Sequence, residues 1–119
     1  MMDDRLQTAL TMAREAGSLA QEMRANPGAL RTQIKGPLDL VTAADHAVEA
    51  LLRKRILGFE PGVAILGEED GLEGAGRDVW ILDPIDGTVN FSRGMPDWAI
   101  SIAFSDGTEI THGVIHAPD

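Results

Sequence analysis

Cysteine is missing altogether from the 119 residues, so this chain has neither a disulfide framework nor a thiolate zinc site. Basic residues are scarce: ten Lys and Arg stand against nineteen Asp and Glu, for a formal net charge of −9. That balance argues against nucleic acid or an anionic membrane surface as a partner, and a phosphorylated substrate would need a cation between it and the protein. The amino terminus has no apolar signal core, and nowhere does an apolar run reach the roughly 18 residues that span a bilayer. A cytoplasmic protein is the resulting expectation. Internal repeats and low-complexity tracts are also absent.

What the sequence does contain is enough apolar content, 44%, for a real core in one small domain. Leu6, Ala9, Leu10, Ala13, Ala16, Gly17, Ala20 and Met23 recur at helical spacing behind acidic residues, and Asn26, Pro27 and Gly28 end that helix. A loop is expected from there to about Leu40. Thr42 and Asp45 have the spacing of a capping box ahead of Ala47, Val48, Leu51, Leu52 and Ile56, so a second helix is expected to start there and end near Gly58.

Strands follow. Residues 63–66 read as a short apolar strand running into Gly67, Glu68, Glu69 and Asp70. Gly71, Gly74 and Gly76 read as a flexible surface connection; lacking a Gly-Lys-Ser/Thr ending, they are no nucleotide-binding loop. Residues 98–104 and 109–115 read as an antiparallel hairpin turning at Ser105, Asp106 and Gly107. His46, His112 and His116 are scattered and receive no role.

Chemistry concentrates between these strands. The apolar run 79–82 leads directly into Asp83, Pro84, Ile85, Asp86, Gly87 and Thr88, which sets two carboxylates and a hydroxyl just past a buried strand. Hard oxygen donors suit Mg²⁺ rather than zinc, and Gly-Thr offers N–H groups and a hydroxyl to an anion. If the strand ending at Glu68 neighbours the one ending at Asp83, three carboxylates converge, and they repel unless a cation lies among them. Each residue also has a plain structural reading: Asp83 and Asp86 as turn formers, Asp45 as the last member of the capping box, Thr88 as the cap of a helix after Gly87.

The runs GEED (67–70), WILDPIDGTVNF (80–91) and DLVTAAD (39–45), in this order and spacing, resemble the amino-terminal half of the inositol monophosphatase family of Mg²⁺-dependent phosphatases. The resemblance implies a layered α/β sugar-phosphatase fold, with paired helices packed on a mostly antiparallel sheet. It implies that Glu68, Asp83 and the carbonyl of Ile85 hold one Mg²⁺, that Asp83 and Asp86 serve a second, and that Lys35 lies near a weakly bound third. Asp45 and Thr88 would orient the attacking water and help deprotonate it. Gly87 and Thr88 N–H groups would cradle the phosphate, with Glu68, Ile85 and Asp86 also facing substrate.

By the same resemblance, the reaction is phosphomonoester hydrolysis of the inositol phosphate type, sensitive to lithium and carried out by a homodimer. The family's carboxy-terminal half supplies a further metal-ligating aspartate, so residues 1–119 are expected to be the amino-terminal part of the domain and to lack turnover alone. Fructose-1,6-bisphosphate, nucleotide 3′-phosphate and histidinol phosphate remain open as substrates. A noncatalytic divalent-cation-binding module remains open as another class.

Overall fold

The computed structural model describes residues 3–25 and 37–119, with side chains described for 3–25 and 43–119. Lys35 lies outside these residues. Two long helices, α1 (Asp4–Ala25) and α2 (Pro37–Phe59), come first. Then follow β1 (Ala64–Gly67), β2 (Gly71–Glu73), β3 (Val79–Asp86), the short α3 (Thr88–Ser92), β4 (Ala99–Ser105) and β5 (Ile110–His116).

Asp3 caps α1, its Oδ1 accepting the Leu6 N–H at 2.8 Å, and the helix buries Ala9, Met12, Ala13, Ala16, Gly17 and Ala20 along one stripe. This is the face its periodicity predicts. The small side chains let α1 and α2 approach closely; α1 also lies on β4 and β5, and α2 on β3. Helix α2 corrects the expectation for its start. It begins at Pro37, a residue whose fixed φ and missing N–H suit the first helical turn, and not at a capping box formed by Thr42 and Asp45. Residues 37–40, expected as the end of a loop, are helical, the rest of that expected loop lies outside the described residues, and Asp45 lies inside the helix.

The five strands among the described residues form one sheet in the order β2-β1-β3-β4-β5. All neighbours are antiparallel except β1 and β3, which run parallel with Gly67 opposite Leu82. The Gly71–Gly76 stretch is therefore not wholly an irregular link, since its first three residues pair with β1 at the sheet edge. Ile65, Trp80, Leu82, Ile100, Ile102 and Phe104 are buried among the helix residues, and Trp80 meets Phe104 edge-on at 5.3 Å between centroids. Between β4 and β5 the turn forms at the expected place, with Asp106 Oδ1 accepting the N–H groups of Thr108 and Glu109. No helix among the described residues is long and apolar enough to cross a membrane.

Candidate active site

Parallel pairing of β1 and β3 decides where the acidic residues go. The two strands run parallel with Gly67 opposite Leu82, so Glu68, just past the end of β1, stands beside Asp83, the next residue of β3, at this end of the sheet. The conditional expectation of neighbouring strands is met.

A bulge then places Asp86. Register against β4 slips between Asp83, opposite Ser101, and Asp86, opposite Ala99. Three steps on β3 answer two on β4, and the inside-outside alternation breaks where Pro84 and Ile85 are both buried. In a regular strand residues i and i+3 face opposite sides; the extra residue brings Asp83 and Asp86 to the same outward side. Pro84, which has no N–H to give a ladder, is tolerated at such a bulge.

Helix α2 brings Asp45 to this edge on its buried face. Only 7% of Asp45 is exposed, and its Oδ1 has no hydrogen-bond partner; Trp80 Nε1, within the core, is the other such buried side-chain atom among the described residues. Burial first, then the charges of Glu69, Glu68 and Asp83, push the Asp45 carboxyl up to about 7, against a smaller opposing effect of His46. Asp83 is likewise raised, by burial and then by Asp86 and Glu68. Asp45, Glu68, Asp83 and Asp86 thus occupy one repulsive neighbourhood.

Beyond the bulge the chain turns through Gly87, whose φ of 87° is the left-handed conformation. A Cβ there would stand 2.6 Å from the Asp97 carbonyl oxygen, so the turn admits no side chain. Gly87 is itself the cap position of α3 and Thr88 the first helical residue, which corrects the reading of Thr88 as the cap; the helix start has no side-chain cap hydrogen bond. Phe91, fully buried against Trp98 at 4.9 Å, and Asn90 Nδ2, donating to the Asp97 carbonyl at 2.9 Å, fasten α3 beside β4. The aromatic contact contributes roughly 0.5–1.5 kcal/mol beyond its buried area.

The donor set suits a hard cation in kind, being all oxygen, and the buried Asp45 oxygen and the mutually raised carboxyls mark where positive charge would relieve the site. Among the described residues, no three Asp, Glu or His side chains are gathered closely enough to enclose a metal ion. The four carboxylates therefore lie in one neighbourhood without forming a closed coordination shell.

Two residues of this region escaped the sequence reading. Glu49, with no exposed surface, accepts the N–H groups of Glu69 at 3.1 Å and Asp70 at 3.0 Å. Arg53 donates to Glu49, to Glu73 and to the Gly71 carbonyl. A signal was available: Asp45, Val48, Glu49, Leu52, Arg53 and Ile56 follow one helical stripe, and three charges on a core-facing stripe need an explanation.

Comparison with known proteins agrees with this architecture. The sequence profile of the inositol monophosphatase family matches residues 1–118. Inositol monophosphatase of Dictyostelium discoideum is 37% identical over 121 residues, covering 98% of this chain and 44% of that protein. The fructose-1,6-bisphosphatase/inositol-1-monophosphatase of Thermotoga maritima is 41% identical over 80 residues, covering 67% and 31%. Among solved structures, the extragenic suppressor protein suhB of Bartonella henselae superposes with a TM-score of 0.82 at 27% identity, covering 98% of this chain and 44% of that one. The chain belongs to the inositol monophosphatase family, and it spans less than half the length of these relatives.

Proposed function

We propose that the complete protein is a Mg²⁺-dependent phosphatase that hydrolyses a small phosphomonoester of the inositol phosphate type. The observation that carries this reading is the gathering of Asp45, Glu68, Asp83 and Asp86 at the shared end of β1 and β3, inside a chain of this family. Glu68, Asp83 and the main-chain carbonyl of Ile85 would hold one Mg²⁺, and Asp83 with Asp86 a second. The buried Ile85 side chain anchors that carbonyl's strand in the core. Lys35, outside the described residues, is proposed to lie near a weaker third cation. Bound there, Mg²⁺ would supply acidity to a water and neutralise charge on the phosphate and leaving oxygen.

The chain's own residues do the rest. Asp45 and Thr88 orient the attacking water, and Asp45 takes its proton. Gly87 and Thr88 direct main-chain N–H groups to the phosphate from a helix start with no side-chain cap hydrogen bond. The proposed partner is a small phosphate ester, acted on by a homodimer in the cytoplasm, with lithium competing at the second cation position.

Phosphate release from inositol 1-phosphate by the complete protein tests this, with fructose 1,6-bisphosphate beside it because the Thermotoga relative is named for both activities. Asp86→Asn should abolish Mg²⁺-dependent release while circular dichroism stays unchanged. Near-normal turnover in that variant refutes the role. Cation uptake without turnover on any ester of the panel would leave a noncatalytic cation-binding module instead.

A further inference from the structure

Glu49 is fully buried in the middle of a helix, where a carboxylate is expensive and an apolar residue of similar volume often serves stability as well. Its placement needs a reason other than packing. Its two oxygens accept from successive main-chain N–H groups: Oε1 from Glu69 and Oε2 from Asp70, the two residues directly after Glu68. Arg53, one turn further along α2 and 7% exposed, donates from Nε to Glu49 Oε2 at 3.2 Å and spends its remaining nitrogens on the Gly71 carbonyl at 2.7 Å and Glu73 Oε1 at 3.0 Å. The turn between β1 and β2 is thus held from beneath by one carboxylate and closed from its far side by one guanidinium. Gly67, the residue before Glu68, is fitted to the same pair: a Cβ there would stand 2.5 Å from Glu49 Oε1 and 2.8 Å from Arg53 Nη2.

We infer that Glu49, locked by Arg53, is a positioning residue that fixes the turn carrying Glu68 and so sets how the Glu68 carboxylate meets Asp45 and Asp83. The inference rests on the proposed role of Glu68 as a cation ligand. Outer partners that orient ligating groups typically change cation affinity by about 10- to 100-fold when lost. Glu49 and Arg53 touch neither substrate nor cation in this scheme; they act through the main chain of residues 69–71.

Two readouts on the intact protein separate this inference from the function on which it rests. Amide hydrogen exchange, without any cation, should show protection at Glu69 and Asp70 falling about tenfold or more in Glu49→Gln, whose amide group cannot accept at both positions, while β3 stays protected. Calorimetric titration with Mg²⁺ should show affinity weakened by about 10- to 100-fold, with kcat at saturating Mg²⁺ within about threefold of the parent, because the ligands remain and only their placement is lost.

Unchanged exchange at Glu69 and Asp70 overturns the tether. Opened amides with Mg²⁺ affinity within about twofold of the parent overturn the positioning role. A parent protein that takes up no Mg²⁺ overturns the proposed function and the positioning role together, and the exchange data still judge the tether. If Glu49→Gln does not fold, Arg53→Lys decides: it keeps the charge beside Glu49 but not the fork to Gly71 and Glu73, and it should shift both readouts in the same direction by a smaller factor.

Discussion

Asp45→Asn should make the cation-free protein more stable, and the gain should depend on pH. Asp45 is held at about 7 where an ordinary carboxyl stands at 3.8, chiefly because it is buried and then because Glu69, Glu68 and Asp83 face it. Between those two values the folded protein keeps a proton that the unfolded chain has released. Folding stability is therefore fully present below about pH 4, falls as pH rises toward 7, and is flat beyond. The change from 3.8 to about 7 corresponds to roughly 4 kcal/mol at the plateau. Asparagine has the same shape and cannot ionise, so the variant lacks this fall, and its advantage over the parent should grow from near zero at about pH 4 to roughly 3–4 kcal/mol above pH 8.

Urea unfolding of parent and variant in EDTA, followed by circular dichroism at steps across that range, measures the difference directly. Carboxyls remote from Asp45 contribute equally to both curves, while Glu69, Glu68 and Asp83, which repel it, respond to its loss as part of the same effect. Parallel curves would refute the reasoning, because they would mean that Asp45 titrates alike in the folded and unfolded chains. Adding Mg²⁺ should shrink the variant's advantage, since nearby positive charge favours the ionised aspartate.

Gly87→Ala should destabilise the protein by roughly 2–4 kcal/mol, combining a left-handed backbone with a methyl forced onto the Asp97 carbonyl, and thermal unfolding would register it as a clear loss. An unshifted midpoint would mean that the turn relaxes without strain. At Asp119, burial raises the carboxyl, but hydrogen bonds from Gln21, Arg24 and Trp98 and the charge of Arg24 outweigh it and hold it at about 2. Its contribution is present above about pH 4 and disappears as pH falls toward 2, so Asp119→Asn should flatten the acid limb of the stability curve and lower neutral stability by about 1 kcal/mol after allowance for solvent screening. An acid limb identical to the parent's would count against that pairing.

Much of the site was legible because its sequence signals are local. An apolar strand followed by Asp-Pro-x-Asp-Gly-Thr announces its own position, and the structure places Asp83 and Asp86 in the last residues of the central strand β3 and Gly87 and Thr88 at the start of α3. Whether Glu68 would stand beside Asp83 depended on strand order, which no local pattern encodes; the pairing of β1 with β3 supplied it. The start of α2 was misplaced because Thr42 and Asp45 imitate a cap, whereas Pro37 is equally at home in a first turn or a loop. Glu49 and Arg53 were overlooked for a different reason. Spaced i and i+4, they look like an exposed helix ion pair, and only the turn packed over them reveals a buried one.

The single parallel pairing in an otherwise antiparallel sheet also has a kinetic consequence. Strands 64–67 and 79–86 cannot be joined by a tight hairpin, so their union must wait for β2 and the link after it to fold back past the start of β1. Glu68 and Asp83 are brought side by side only by that step. Under the proposed function, a refolding sample of the complete protein should first take up Mg²⁺ when this one pair of strands closes, well after α1 and α2 have acquired their helicity.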